Sequence, residues 1–352
     1  MTTSSELARV SLLKQIFQAN APGVRVGIGD DAAVLDAPSS IASGAGIALV
    51  GSLVWTVDAQ VDGTHFRPEW LSWTDVGRRS FMAAASDLAA MGAEPVAALS
   101  ALVLGPHIGD EELEELARGQ AAAAAQIGAP VAGGNLARGD QTSVTTTLIG
   151  RATSPVLRSG AKPGDSLWLA GPVGLAAAGL TMLAEAITPE MVDEMNRQDA
   201  WTATTRTLDA RMNDARMRRC IAAWRRPVAR IAEGRTMAGF ARAAIDVSDG
   251  LSQDAFQLAV ASDVRLVLDA KALLDLGGED LAVAASLLKR DPLDFALHGG
   301  EDYALLAASS HALPGFKRIG MVEAYDGVDR LRMLSGGRAL AVEPRGFDHF
   351  RV

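Results

Sequence analysis

Several aspartates in this chain share one context: each stands where a strand-like run gives way to a loop or a helix-like run. They are Asp30 and Asp31 in GIGDDAAVL, Asp58 in VWTVDAQVDGTHF, Asp87 in AAASDLAAMGA, and Asp246 and Asp249 in AAIDVSDGLSQD. The fragment HGGEDYALL adds Glu301 and Asp302. Strand and helix signals are intermixed in both halves of the chain, which predicts a mixed α/β fold. Taken singly, these carboxylates have plain structural readings. Ser86-Asp87 and Ser248-Asp249 suit helix N-caps, and Asp30-Asp31 after glycines suits an Asx-type turn. Their recurrence favours a shared site. Carboxylates at strand ends converge on one crevice of an α/β fold, and such a cluster is costly unless cations neutralise it. Mg2+ takes oxygen ligands and keeps several waters. A bound cation then lets an acidic protein hold phosphates.

The 352 residues suffice for two ordinary domains or one large one. With 49% hydrophobic and 21% charged residues the chain is a folded globular protein. A net charge of -9 argues against a sequence-independent grip on nucleic acid, which needs Lys and Arg over phosphates. Cys220 is the only cysteine, so a disulfide framework and a cysteine zinc site are both excluded. The N-terminus carries Glu6 and lacks a long apolar core, unlike a signal peptide. The apolar stretch from Gly44 to Val57 is broken by Gly51 and Ser52 and is too short for a bilayer. The expectation is a cytoplasmic protein with no membrane partner.

Local patterns predict helices over Ser5–Gln18, Asp75–Met91, Asp110–Ile127, Gly174–Ala186, Ser252–Ser262 and near Asp280–Lys289, with another after Pro227. Gly23 to Leu35 reads as strand, turn, strand. Gly46 to Gln60 reads as buried strands or a hairpin turning at Gly51-Ser52. Further strands are expected at Val96–Leu104, Val144–Ala152, Ser166–Ala170, Ala243–Val247, Val264–Leu268, Tyr303–Ala308, Leu331–Leu334 and Leu340–Val342. Ile187 to Arg226 is polar and Met/Arg-rich and reads as a helical insertion. Its arginines read as a solvated helix face.

GIGDDA matches a bare G-x-G-x-x-A, but unneutralised aspartates would repel a pyrophosphate at a helix N-terminus. A P-loop, an H-E-x-x-H zinc motif and a G-x-S-x-G elbow are all absent from the sequence. AGGNLARGD and VLRSGAKPGD read as glycine-rich loops. They are either surface turns or phosphate contacts through backbone N–H groups and a guanidinium.

In order along the chain, GIGDDAAVL, VDGTHF, SDLAAMGAEP, GGNLARG, RSGAKPGD, IDVSDGL, GGEDYALL and GFDHF resemble the thiamine-monophosphate kinases. Their superfamily also holds aminoimidazole ribonucleotide synthetase, selenophosphate synthetase and a hydrogenase-maturation protein. The resemblance implies an N-terminal α/β domain over 1–153 whose strands help form a β-barrel across a homodimer. It implies a C-terminal α/β domain over 154–352 with the insertion near 187–226, and ATP in the cleft between the two. ATP and thiamine monophosphate would give ADP and thiamine diphosphate, with several Mg2+ ions. Carried to matching positions, metal ligands fall on Asp30, Asp31, Asp58, Asp87, Asn135, Asp246 and Asp249, with Asp30 favoured over Asp31 for direct contact. Nucleotide contacts fall on Gly134, Asn135, Arg158 and Ser248, and acceptor contacts on His65, Glu301 and Phe347. From the residues alone, His65 beside Phe66 reads as a packed histidine and Phe347 as plain packing.

The chain departs from the family pattern in places. Asn135 stands where Asp is common, Val57 stands where Thr is frequent, and RRSFMAAA precedes SDLAAMGA where Lys and Asn are common. These features keep open a paralogue acting on another phosphorylated substrate, and a degenerate nucleotide-binding protein. Cys220 lies mid-chain, unlike the reactive cysteines of selenophosphate synthetase and the hydrogenase-maturation enzyme. A phosphate monoester acceptor has a second pKa of about 6 and is already anionic at neutral pH. No general base is needed, and the chemistry of such an acceptor predicts direct in-line transfer with no phosphoenzyme intermediate, driven by positioning and charge neutralisation.

Overall fold

The structure is a computed structural model, and it describes residues 6–17, 24–36, 51–186 and 215–348. After helix α1 (Glu6–Phe17), the first half builds a six-stranded sheet from β1 (Val24–Val26), β2 (Ala33–Asp36), β3 (Ser52–Val61), β4 (Glu94–Leu104), β5 (Val131–Arg138) and β6 (Ser143–Ala152). Its order is β1-β2-β3-β6-β4-β5. β4 and β5 are parallel, and the other neighbours are antiparallel. β3 and β6 place Asp58 opposite Thr146.

Helices α2 (Trp73–Ala90) and α3 (Asp110–Ile127) pack together beside this sheet. α2 starts where the Ser72 hydroxyl accepts the Asp75 N–H at 3.1 Å, supplying one of the helix's orphan donors with a partner. Its small and apolar residues allow burial nearly all round, and Phe81, Met82 and Leu88 have no exposed surface. Each such large side chain contributes about 1.5–3 kcal/mol by leaving water. The two helices meet backbone to backbone. A Cβ at Gly77 would lie 2.0 Å from the Leu116 carbonyl oxygen, and one at Gly119 would lie 2.0 Å from that of Thr74.

The second half builds a seven-stranded sheet from β7 (Ser166–Ala170), β8 (Ala243–Val247), β9 (Val264–Asp269), β10 (Ala304–Ser309), β11 (Lys317–Ala324), β12 (Leu331–Ser335) and β13 (Arg338–Ala341), in the order β13-β12-β9-β11-β7-β10-β8. Its helices are α4 (Leu175–Ala186), α5 (Ala215–Arg225), α6 (Ile231–Met237), α7 (Leu251–Ser262), α8 (Ala270–Leu287) and α9 (Pro292–His298). β8 and β10 are buried throughout, which explains their unbroken runs AAIDV and ALLAAS. Asp246 is the charged exception within β8.

One core cluster joins the halves, running from Phe66, Leu71 and Trp73 to Leu167, Trp224 and Ile245. Arg225 Nε donates to the Trp70 carbonyl at 2.7 Å, and Arg226 pairs with Asp75 at 2.6 Å. Among the described residues no helix is long and apolar enough to cross a membrane.

The structure corrects several expectations. AGGNLARGD is not a loop, since most of it forms the edge strand β5. Parallel pairing with β4 uses main-chain groups alone, and a Cβ at Gly134 would lie 1.7 Å from the Ser100 carbonyl oxygen. Glycines that suggest a turn therefore serve a close strand contact. The helix expected near Asp280 begins at Ala270, because Gly278 breaks the regular turn without ending it (φ 61°, ψ −158°). α9 and β11 are additional elements. The first limb of the supposed hairpin before Gly51 and residues 187–214 of the supposed insertion lie outside the described residues. Its remainder is helical, as α5.

Candidate active site

Asp30 and Asp31 follow the turn that links β1 to β2, at the junction of the halves. The Asp30 carboxylate accepts the Asp31 N–H at 3.0 Å and the Arg158 N–H at 3.2 and 3.3 Å. It ties the turn to the segment entering the second half. Asp31 points the other way. Its Oδ1 accepts Nη2 and Nε of Arg158 at 2.7 and 3.2 Å, while its buried Oδ2 has no hydrogen-bond partner. Arg158 spends its remaining Nη1 on Gln257 at 2.8 Å. Asp87 projects from the last turns of α2 and accepts the Thr56 hydroxyl of β3. Asp246 comes from β8. One oxygen from each of Asp31, Asp87 and Asp246 lies within 4.8 Å of the others. Asp31 joins this trio, and Asp30, the residue that the family resemblance favours for direct contact, lies outside it.

Burial and mutual repulsion push these carboxyls upward. Asp87 rises well above the usual carboxylate range, first from desolvation and then from Asp246 and Asp31. Asp246 is pushed up to about 7, by desolvation and then by Asp31. Asp30 is pushed up to about 6, by desolvation and then by Asp31. Arg158 cannot neutralise them all. An all-oxygen donor set with an unpartnered buried oxygen and surplus negative charge fits a hard divalent cation.

Beside the trio lies a cleft of about 160 Å³, lined by Asp58, Asp87, Asp246 and Asp249. His65, Glu301, Tyr303 and Phe347 line it as well, with Ser248. Asp58 shares the inward face of β3 with Thr56 and Gln60, whose amide donates to it at 3.3 Å. The His65 ring accepts the Val61 N–H through Nδ1 at 3.1 Å, so the side chain is both hydrogen-bonded and at the cleft. The C-terminal segment crosses over Asp249, whose carbonyl accepts the Phe347 N–H at 3.0 Å.

The loop from Gly300 to Tyr303 is held in unusual backbone geometry. Gly300, Glu301 and Tyr303 have φ of 71°, 63° and 49°. For Glu301 and Tyr303 that left-handed region costs about 1 kcal/mol each. Backbone bonds hold it: the Glu301 N–H donates to Ser248 at 2.7 Å and the Tyr303 N–H to Val247 at 2.8 Å. Asp302 between them faces away, accepting the N–H groups of Gly174 and Ala176 at 2.7 and 3.2 Å at the start of α4.

Residues 29–152 match the family described as AIR synthase related protein, N-terminal domain. The chain is 34% identical over 300 residues to the thiamine-monophosphate kinase of Corynebacterium glutamicum, covering 84% of this chain and 80% of that one. It belongs to the thiamine-monophosphate kinase family. The Escherichia coli kinase is 30% identical over 344 residues, covering 93% and 92%. The solved structure of AaThiL complexed with AMPPCP and TMP superposes with a TM-score of 0.80 at 26% identity, covering 98% of this chain and 97% of that one.

Against the family pattern, the structure gathers Asp30, Asp31, Asp58, Asp87, Asp246, Asp249, Arg158, Ser248, His65, Glu301 and Phe347 around one crevice. It does not bring Gly134 or Asn135 there. Both sit on the edge strand β5, all of whose residues are exposed. The cap readings are not realised. Asp87 lies inside α2, and α7 is capped by Gly250, whose N–H is accepted by Asp254 at 3.1 Å. Sequence reasoning missed Thr56, Arg79 and Tyr303. The departure RRSFMAAA was the one available signal for Arg79, since an arginine amid alanines on a buried helix demands a partner.

Proposed function

We propose that this chain transfers the γ-phosphoryl group of ATP to thiamine monophosphate, forming thiamine diphosphate and ADP. The observation that carries this reading is the Asp31–Asp87–Asp246 trio, with oxygens within 4.8 Å and surplus charge, two of whose members line a cleft together with His65, Glu301 and Phe347. Family membership and the AaThiL complex with AMPPCP and TMP support it. Mg2+ held by Asp31, Asp87 and Asp246, with Asp58 and Asp249 at hand, would neutralise the phosphates being brought together.

The chain's own residues do the rest. Arg158, anchored on Asp31 and Gln257, brings a guanidinium beside the trio, where its charge would help to offset that of bound phosphates. Asp30 fixes the Arg158 backbone in place. Glu301, His65 and Phe347 bind and orient the acceptor, with the ring of Phe347, 46% exposed, stacking on a heteroaromatic ring. No side chain has to take a proton, so transfer is direct and in line. Inversion at a chiral γ-phosphorus is expected, and net retention would refute direct transfer. A turnover assay with ATP, thiamine monophosphate and Mg2+ tests the whole reading. Nucleotide binding without turnover would favour the degenerate protein, and turnover only with another phosphorylated acceptor would favour a paralogue.

The same reading takes 1–153 and 154–352 as the two domains, each with its own sheet, and a homodimer as the working form. Trp55 and Val57 on β3 and Leu99 on β4 are 46%, 62% and 48% exposed. Val57 and Leu99 both stand opposite Thr147 of the intervening strand, so they share one row across the sheet. An apolar face of this kind on a folded chain marks a contact surface. Leu99→Lys should convert the dimer to monomer in light scattering, and an unchanged monomeric mass for the wild type would exclude it.

A further inference from the structure

Arg79 of α2 lies just behind the cleft, with only 1% of its side chain exposed. A guanidinium buried to that degree needs a partner for its charge. It forms an ion pair with Glu301, donates from Nη1 to the Trp224 carbonyl, and stacks its guanidinium carbon 4.8 Å from the centroid of the Trp224 ring. The Tyr303 hydroxyl donates to the same Glu301 oxygen, Oε2, at 3.3 Å. Trp224 is in turn fixed by Trp70, edge-on with centroids 5.9 Å apart. Contacts thus run unbroken from Trp70 through Trp224 of α5 and Arg79 of α2 to Glu301 at the cleft.

We propose that Arg79, gripped by Trp224, is a positioning residue that aims Glu301 at the acceptor, making α5 a supporting wall of the acceptor site. The inference rests on the reading of Glu301 as an acceptor contact. Main-chain bonds hold the left-handed backbone of Glu301, and its carboxylate is held by Tyr303 from within the loop and by Arg79 from outside it. A planar guanidinium can stack on an indole face and still offer its edge to a carboxylate, which a lysine cannot do.

Steady-state kinetics of the full chain, with ATP and thiamine monophosphate varied separately, test this. Glu301→Gln should raise the acceptor KM about tenfold and leave the ATP KM within about twofold. Arg79→Lys should give the same one-sided pattern at about fivefold, and the double variant should be no worse than Glu301→Gln alone. Trp224→Leu should move the acceptor KM in the same direction by about threefold, and it carries the test if Arg79→Lys does not fold. Multiplying effects in the double variant, or equal rises in both KM values, would overturn the positioning role. An unchanged acceptor KM in Trp224→Leu would overturn the part given to α5. An unchanged acceptor KM in Glu301→Gln alone would instead strike the acceptor reading on which the proposal stands.

Discussion

Two clusters beside the cleft bury charge in opposite ways. In one, Asp31, Asp87 and Asp246 crowd like charges together, with Arg158 as the compensating cation. In the other, Arg79 and Glu301 form an ion pair within the protein, braced by Trp224 and Tyr303. The first keeps surplus negative charge and an unpartnered buried oxygen on Asp31. The second pairs its buried charge within the protein, although Arg79 Nε stays without a hydrogen-bond partner. On the proposed reading this division suits a kinase, because carboxylates that hold phosphates through cations must attract charge while groups that hold the acceptor have only to keep their shape.

The largest effect expected from breaking this contrast is on turnover. Asp87→Asn should lower kcat by about 10²-fold or more, with an unchanged circular-dichroism spectrum. Near-normal activity would remove Asp87 from the site.

The next effect concerns stability. Asp30 and Asp246, pushed up to about 6 and about 7, hold protons in the folded protein that the unfolded chain has already lost. Their stabilising contribution is therefore complete below about pH 4, the unfolded value, and is lost as pH rises through 6 to 7. In EDTA the melting temperature should fall between pH 5 and pH 8. Adding Mg2+ should restore several degrees, about 4 °C, at pH 8 and much less at pH 5. A response to Mg2+ that is equal at both pH values would contradict the crowded-carboxylate account.

The smallest effect belongs to the loop that carries Glu301. Asp302→Ala removes the acceptor for the Gly174 and Ala176 N–H groups and should cost about 1 kcal/mol. That is a fall of about 2–3 °C in melting temperature. The Mg2+ increment at pH 8 should not change, since Asp302 faces α4 and not the carboxylate trio. If the increment shrinks, the two clusters are not independent.

Much of the site was readable in advance because its carboxylates occupy short motifs with strong local signals. Asp246 interrupts a run of buried residues, and a charge there has to be functional or paired. Asp87 carries no such mark. Its fragment SDLAA reads equally well as a helix start, and only the position of Ser72 as the true cap places it inside α2. Gly134 misled for a physical reason: a glycine needed so that two strands can approach is indistinguishable, in sequence, from one needed to turn. Thr56 and Tyr303 were invisible because each acts through a contact with a residue far along the chain or on a strained loop.

By itself the sequence determined the α/β class, the helices whose caps and periodicity are local, and the identity of most groups that line the crevice. Those properties follow from interactions between neighbours in the chain. The tertiary structure alone decided which of Asp30 and Asp31 faces the other carboxylates, that Asn135 sits on an edge strand away from them, and that Arg79 spends its charge on Glu301. Those outcomes depend on how two sheets pack across one core, and on the need of every buried charge for a partner that the linear order does not name.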